Sequence, residues 1–132
     1  MKKTGTFMML FVLCFTMFAQ VKSPDEQKVV SYLKNKDVKW PDHHIPETDG
    51  KAFYEMIVSK GYKSAVEIGT SEGYSSIWLA LALSKTGGKL ITIEINDERY
   101  RAALTNFREV GLSDFIDARL ANAHDLVYKL EG

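Results

Sequence analysis

The sequence predicts an α/β protein in which a parallel β-sheet is sandwiched by helices. Three short apolar runs have the length and composition of buried strands: Ala65–Ile68, Leu90–Ile93 and Phe115–Leu120. Longer segments, in which apolar residues have helical spacing, separate these runs. The pattern therefore predicts consecutive βαβ units. Crossovers in such units are right-handed, which places the first strand innermost and the third at the edge. This is a Rossmann-like arrangement.

The helices are predicted from apolar residues spaced three and four apart and from residues that cap helix ends. Ser23 with Pro24 and Glu26 has the pattern of a capping box with proline in the first turn. The predicted helices cover 24–35, a segment from Thr48 or Asp49 to Gly61, 75–84, a segment from Asn96 or Asp97 to Gly111, and 125–130.

Residues 1–22 differ in character from the rest of the chain. Lys2 and Lys3 precede an apolar run, Phe7–Ala19, which is too short to span a hydrocarbon core of roughly 30 Å. A basic start and an apolar centre of this length are typical of a secretory signal peptide, and a short membrane anchor is the alternative. We therefore expect an exported or membrane-tethered protein, or a cytoplasmic one if the start site is misassigned. An N-terminal helix and loop (23–48) and a partial Rossmann-like domain (49–132) come next.

Composition excludes several classes of function. The 17 basic and 17 acidic residues give a formal net charge of +0 and are interspersed, so no basic face indicates a nucleic-acid partner. Cys14 is the single cysteine, which excludes an intramolecular disulfide and a cysteine-based zinc site.

The segment after the first predicted strand carries the most specific chemistry. Gly69 and Gly73 allow a sharp turn and a close approach of a ligand to the backbone. Glu67 lies in a strand expected to be buried on both faces, where an unpaired carboxylate is costly. With Glu72 it would repel a pyrophosphate and attract a ligand that bears a sulphonium and an ammonium. The alternative is that backbone donors satisfy Glu67.

The ends of the other two strands indicate an adenosine-type ligand. Glu94 closes the second strand, where an acid can accept hydrogen bonds from both ribose hydroxyls. Dinucleotide and S-adenosylmethionine sites share this feature, but Gly69-x-x-x-Gly73 lacks the G-x-G-x-x-G spacing of the former. Asn122 and His124 come after the third strand and could read the polar edge of adenine.

Two motifs, Ala65–Ser75 (AVEIGTSEGYS) and Leu90–Asn96 (LITIEIN), resemble the catechol-type O-methyltransferases, which are class I S-adenosylmethionine-dependent enzymes. The resemblance covers about 45–130. It implies that the cofactor's methionine portion lies along the first motif, its ribose at Glu94 and its adenine at 122–124, and that the loop 43–45 lies near the amino-acid end. It also implies transfer of a methyl group to a small-molecule oxygen. The predicted cofactor-binding residues are Glu67, Gly69, Thr70, Ser71, Gly73, Tyr74, Ser75, Glu94, Asn122, Ala123 and His124.

The sequence departs from the family beyond the third strand. In the family a fourth strand supplies an aspartate for a magnesium-like metal, and later segments supply the base and the acceptor pocket. We therefore expect a fragment that ends at Gly132, with a divalent metal only in the full-length protein. The first strand's unpaired apolar edge would then favour association, for example as a homodimer. Adjacent histidines on a proline-rich loop are typical of a surface. We interpret four residues there as surface groups, not metal ligands: Asp42, His43, His44 and Glu47.

Two other functions stay open on the sequence alone. A Rossmann-type oxidoreductase domain would bind NAD(P), and a non-catalytic remnant would keep the fold and the cofactor site without chemistry.

Overall fold

The structure is a computed structural model that describes residues 23–41 and 44–129. The proposed signal segment, Asp42, His43 and the last residues, 130–132, lie outside the described part. The helices and strands are α1 (Glu26–Leu33), α2 (Glu47–Lys60), β1 (Ser64–Ile68), α3 (Tyr74–Thr86), β2 (Lys89–Glu94), α4 (Asp97–Glu109), β3 (Ile116–Leu120) and α5 (Ala123–Leu126). Single 3-10 turns cover Ser113–Phe115 and Val127–Lys129.

The three strands form a parallel sheet in the order β1-β2-β3, which confirms the α/β class. β3 lies at one edge, as predicted. Within the described residues β1 lies at the other edge and not inside the sheet. Val66 and Ile68 on β1 are 51% and 63% exposed, so the expectation that this strand is buried on both faces is wrong here.

The main core lies on a single face of the sheet. Successive strand residues point to opposite faces, and the core side chains of β2 and β3, Leu90 and Ile116, share one face. α3 and α4 pack on that face, and α2 packs along α3. Because α3 lies between the sheet and α2, it is apolar nearly all round. Its buried residues include Ile77, Leu81 and Leu83.

The N-terminal helix is part of the same core. Val29 and Leu33 on α1 are buried among the core side chains. The Tyr32 hydroxyl donates to Asn106 Oδ1 at 2.8 Å, and Asn106 Nδ2 donates to the Glu72 carbonyl at 2.8 Å. A single half-buried amide on α4 therefore connects α1 to the turn that precedes α3.

Two predicted helix starts are wrong by a few residues. α1 begins at Glu26 because the Asp25 side chain, and not Ser23, accepts the Lys28 N–H at 3.2 Å. α2 begins at Glu47 after Pro46, with no side-chain cap, instead of at Thr48 or Asp49. A proline's fixed φ suits the start of a helix, so Pro46, the second of the two prolines that mark the loop, also starts the helix.

The other element boundaries lie close to the predicted capping residues. Asn96 caps α4 and accepts the Arg99 N–H, and Gly61 ends α2 with a φ of 67°. The last helix begins at Ala123, because Asn122 caps it, and not at Asp125. Phe115 belongs to a 3-10 turn, so β3 starts one residue later than predicted.

Gly50 allows α2 to approach α3 closely. A Cβ at this position would lie 2.5 Å from Nε1 of the Trp78 indole, and Trp78 is itself only 3% exposed. A buried indole has little room to move in a densely packed core. Gly50 is therefore required by packing, because it lies within a helix and needs no unusual backbone conformation. No helix among residues 23–41 and 44–129 combines the length and apolar character needed to cross a membrane.

We expect Gly50→Ala to destabilise the protein by about 1–3 kcal/mol, the usual cost of overpacking. The sign of this change in stability is informative, because replacing glycine by alanine at an unobstructed helix position would stabilise the protein by roughly 0.5–1 kcal/mol. Thermal or urea unfolding measures the change, with Ser59→Ala on the exposed side of α2 as the matched control. A Gly50→Ala variant as stable as the control would contradict the close contact.

Candidate ligand-binding site

The loop 69–73 leaves β1 at its carboxyl end and turns back into α3. Gly69, Ser71 and Gly73 have φ values of 90°, 50° and 93°, a region that residues with a Cβ rarely adopt. Gly73 has a second requirement, because a Cβ there would lie 2.5 Å from Phe107 Cε1. The loop therefore combines a left-handed backbone with direct packing against α4.

Glu67 is held by hydroxyl groups from two elements. Its Oε1 accepts from the Ser75 hydroxyl at 2.5 Å, and its Oε2 accepts from Ser76 and from Thr92 at 2.6 Å. Thr92 is in turn 2.6 Å from the Thr70 hydroxyl. The donors to this carboxylate are side-chain hydroxyls and not backbone groups, so Glu67 has its hydrogen-bond partners within the protein.

Glu94 holds the other side of the loop. Its carboxylate, 5% exposed, accepts the Ser71 N–H at 2.7 Å and the N–H groups of Ile95 at 3.0 Å and Asn96 at 2.9 Å. A carboxylate has about four acceptor positions, so roughly one is left for a ligand hydroxyl. Glu94 therefore fixes the left-handed Ser71 by a hydrogen bond within the protein.

A cavity of about 150 Å³ opens between this loop and the segment that precedes α2. It is lined by Pro41, His44, Ile45, Gly69, Thr70, Ser71, Glu72, Tyr74 and Ser75. The Ser71 hydroxyl is buried and has no hydrogen-bond partner among the described residues. At about 30 Å³ per water, the cavity holds a group of amino-acid size and not a whole nucleoside.

His44 forms part of the outer wall of this cavity. Its ring packs edge-on to Tyr74 with centroids 4.5 Å apart, and its Nδ1 donates to the Pro41 carbonyl at 2.7 Å. Trp40 packs against the same Tyr74 ring at 5.1 Å. The segment before α2 is therefore held beside the loop by aromatic contacts.

A second, larger and more apolar cleft adjoins the first. It has a volume of about 420 Å³, runs along the β1 edge and shares Ile45, Gly69 and Ser75 with the first cavity. Phe53, Val66 and Leu79 supply much of its apolar lining. Neither cavity has a lysine or arginine in its lining.

The structure places 122–124 at the same end of the sheet but gives them local hydrogen bonds. Leu120 pairs with Glu94 across the β2–β3 ladder, and the Ala121 N–H donates to the Glu94 carbonyl at 2.9 Å. Asn122 Oδ1 accepts the His124 N–H at 3.0 Å as the cap of α5. Asn122 and His124 are exposed beyond Glu94, outside both cavities.

The described residues do not provide a metal site. No group of three or more His, Cys, Asp or Glu side chains in 23–41 and 44–129 is arranged to hold a metal ion. Glu47 pairs with Lys51 at 2.7 Å and Lys34 at 3.2 Å, and these two bonds lower the pKa of Glu47. Glu47 thus has a structural role in joining α1 to α2.

Sequence reasoning missed three residues of the site: Ser76, Thr92 and Asn106. Thr92 and Glu67 are register partners in neighbouring strands. A polar side chain in each of two adjacent apolar strands was the available signal for this pair. Asn106 lies on α4, and nothing in the local sequence distinguishes it from the exposed polar residues around it.

Comparison with known proteins places the chain among methyltransferases. The sequence profile described as O-methyltransferase matches residues 20–131. A catechol O-methyltransferase of Niastella koreensis is 38% identical over 68 residues, covering 52% of this chain and 30% of that protein. Caffeoyl-CoA O-methyltransferase 1 of Eucalyptus globulus is 40% identical over 98 residues, covering 73% of this chain and 39% of that protein.

Solved structures agree with these matches. An O-methyltransferase from Bacillus cereus in complex with SAH has a TM-score of 0.67 at 31% identity, covering 80% of this chain and 48% of that one. An O-methyltransferase from Streptomyces achromogenes in complex with SAM has a TM-score of 0.65 at 30% identity, covering 82% of this chain and 48% of that one. The chain thus spans half or less of the length of these relatives. It belongs to the O-methyltransferase family.

Proposed function

We propose that the protein is an S-adenosylmethionine-dependent O-methyltransferase of small molecules, and that this chain supplies its cofactor-binding half. The observation that carries the proposal is the charge of the site. Two acids at strand ends, the half-buried Glu67 and the buried Glu94, flank the loop, Glu72 lines the cavity, and no lysine or arginine does. Such a site favours a ligand with a sulphonium and an ammonium over a pyrophosphate.

The geometry fits the cofactor in three parts. The cavity beside Thr70, Ser71 and Ser75 has the volume of an amino-acid group, and the partnerless Ser71 hydroxyl can bond to its polar atoms. The remaining acceptor position on Glu94 suits a ribose hydroxyl. Asn122–His124, beyond Glu94 at the end of β3, are available to the adenine.

When bound, the cofactor would supply a methyl group on a positively charged sulphur. A nucleophilic oxygen would attack the methyl carbon in line, and the sulphur would leave as a neutral thioether. The contribution of this chain is to bind the cofactor and to orient it. Glu94 bonds to the loop at Ser71 and Glu67 holds the start of the helix that follows it, and such internal bonds lower the entropic cost of positioning a ligand. No described residue is assigned as the base or as the acceptor pocket.

The proposed class of methyl acceptor is inferred from the names of the related enzymes. Catechol and caffeoyl-CoA are the small molecules named for two related enzymes, and both carry hydroxyl groups. We therefore propose a hydroxylated small molecule as the acceptor. Residues 23–41 and 44–129 contain no group of three or more side chains arranged to hold a metal ion, so a divalent metal in the whole protein would need ligands from outside these ranges.

We expect the 132-residue chain to bind S-adenosylhomocysteine and not NADH. The acidic cavity opposes a pyrophosphate, whereas the homocysteine part presents an ammonium to it. Calorimetric titration with each compound measures the difference, after circular dichroism has confirmed that the chain is folded. Binding of NADH without S-adenosylhomocysteine would overturn the proposal in favour of a dinucleotide-binding domain.

We expect Glu94→Gln to weaken S-adenosylhomocysteine binding at least tenfold and also to lower the ligand-free stability by about 1–3 kcal/mol, because the glutamine amide places a donor against backbone N–H groups that need an acceptor. Titration and urea unfolding measure the two effects. Glu98→Gln, an exposed acid in the first turn of α4, makes the same chemical change and should alter neither. A role for Glu94 in ligand binding alone would leave the ligand-free stability at its wild-type value.

We further propose that residues 1–22 are an export signal or a membrane anchor, separate from the enzyme domain. The basic residues before the apolar run Phe7–Ala19 support this, as does the start of the family match at residue 20. Mass spectrometry of the amino terminus from fractionated cells distinguishes the two forms. A cleaved signal leaves a mature chain that starts near residue 22, and an anchor leaves an intact terminus in the membrane fraction. An intact Met1 in the soluble cytoplasm contradicts both.

A further inference from the structure

The Asn106 amide on α4 has a fixed orientation. Its Nδ2 lies 2.8 Å from the Glu72 carbonyl, and a carbonyl can only accept a hydrogen bond, so the amide NH2 must face the loop 69–73. The Oδ1 atom then faces the Tyr32 hydroxyl at 2.8 Å, and the tyrosine must donate that bond. Donation therefore runs from α1 through α4 to the loop.

Tyr32 is suited to act as this donor. Burial, followed by the nearby Glu109 carboxylate, raises the pKa of the Tyr32 hydroxyl above its usual value, so the hydroxyl keeps its proton at neutral pH. Tyr32 and Asn106 are both half-buried. An unmade bond between them would leave polar atoms with limited access to water, which is unfavourable.

The amide holds a part of the loop that the backbone alone does not fix. Gly73 follows the Glu72 carbonyl, and glycine adopts positive and negative φ with similar ease, so the peptide group between them can rotate at little cost. Two bonds oppose this rotation. The Gly73 N–H donates to the Thr70 carbonyl at 2.9 Å, and the Glu72 carbonyl accepts from Asn106. Glu72 lines the 150 Å³ cavity, so the wall of the cavity depends on how this peptide group is oriented.

The Tyr32 ring also contacts the other wall of the cavity, through one intermediate residue. It packs edge-on to Trp40 with centroids 6.1 Å apart, and Trp40 packs edge-on to Tyr74 at 5.1 Å. Tyr74 lines the cavity, whereas no residue of α1 does. Tyr32 is therefore connected to both walls of a cavity that it does not itself line.

We propose that Tyr32 is a positioning residue of the cofactor site, and that it acts on the loop 69–73 through Asn106. Without the tyrosine hydroxyl, the Asn106 carbonyl loses its donor, the amide can turn, and the loop adopts further conformations. A ligand that binds only one of these conformations then has an apparent affinity reduced by the fraction of the chain that is competent to bind. This inference rests on the proposed S-adenosylmethionine function and extends the site to α1.

The test measures the affinity of the full chain for S-adenosylhomocysteine by calorimetry. Tyr32→Phe keeps the ring and its contact with Trp40, and we expect the affinity to fall about threefold to tenfold, the effect of one neutral hydrogen bond. Asn106→Asp keeps the shape and the acceptor for Tyr32 but removes the NH2 donor, and we expect a loss of about tenfold or more. Tyr54→Phe is the matched control. It removes another hydroxyl bond to α1, that to Glu26 Oε2 at 3.3 Å, and should leave the affinity unchanged.

The double variant shows whether Tyr32 acts through Asn106. In Asn106→Asp the bond to the Glu72 carbonyl is already lost, so adding Tyr32→Phe should weaken binding by less than about twofold. Equal losses in the two backgrounds would mean that Tyr32 acts by another route, and would overturn the proposal. If Asn106→Asp does not fold, Asn106→Ala takes its place, because it removes the same donor without adding a charge.

The rate constants of binding separate positioning from a general loss of stability. A smaller population of competent loop lowers the association rate constant and leaves the dissociation rate constant near its wild-type value. Stopped-flow binding measures both for Tyr32→Phe, and urea unfolding gives its stability. A variant that is less stable but associates at the wild-type rate has lost only a structural bond, which would overturn the proposal.

The proposed function and this inference fail in different ways. A wild-type chain that is folded but does not bind S-adenosylhomocysteine overturns both. A wild-type chain that binds it, with Tyr32→Phe binding equally well, leaves the methyltransferase function intact and overturns the role assigned to Tyr32.

Discussion

The site depends on one half-buried carboxylate and the hydroxyl groups that surround it. Glu67 lies near the end of β1, and its bonds to Ser75, Ser76 and Thr92 join this strand to α3 and to β2. A carboxylate withdrawn from water without partners is destabilising, so strand, helix start and neighbouring strand must keep their relative positions. The negative charge that shapes the fold here is also the charge that favours a cationic ligand.

Glu94 has the corresponding role on the far side of the loop. Its bond to the Ser71 N–H holds a left-handed residue that is not glycine, a conformation that costs on the order of 1 kcal/mol. Its other two bonds fix the turn into α4. Since Glu94 holds Ser71 within the loop and Glu67 holds the start of the helix that follows it, the wall of the cavity is ordered by bonds within the protein. The arrangement is one of preorganisation, in which the fold meets the cost of ordering the loop.

The distribution of the core explains why the exposed apolar residues lie where they do. α3 and α4 cover one face of the sheet, while Val66 and Ile68 on the opposite face of β1 are about half to two thirds exposed. The larger apolar cleft runs along the same strand. The chain covers half or less of the length of its relatives, so the loop 69–73 and the two glutamates beside it lie within a part of the family's fold.

Local sequence determined the order and type of the elements, because strand length, helical spacing and capping residues act over a few neighbouring positions. It also determined that a glycine loop follows β1 and that acids stand near the strand ends, at 67 and 94. The tertiary structure decided what those acids contact. The partners of Glu67 include Thr92, and those of Glu94 include Ser71. These pairs are distant in sequence and meet only through strand register and the turn of the loop. It also decided that Asn122 caps a helix and that Gly50 lies against Trp78. Side-chain contacts across elements depend on how those elements pack, which no local pattern encodes.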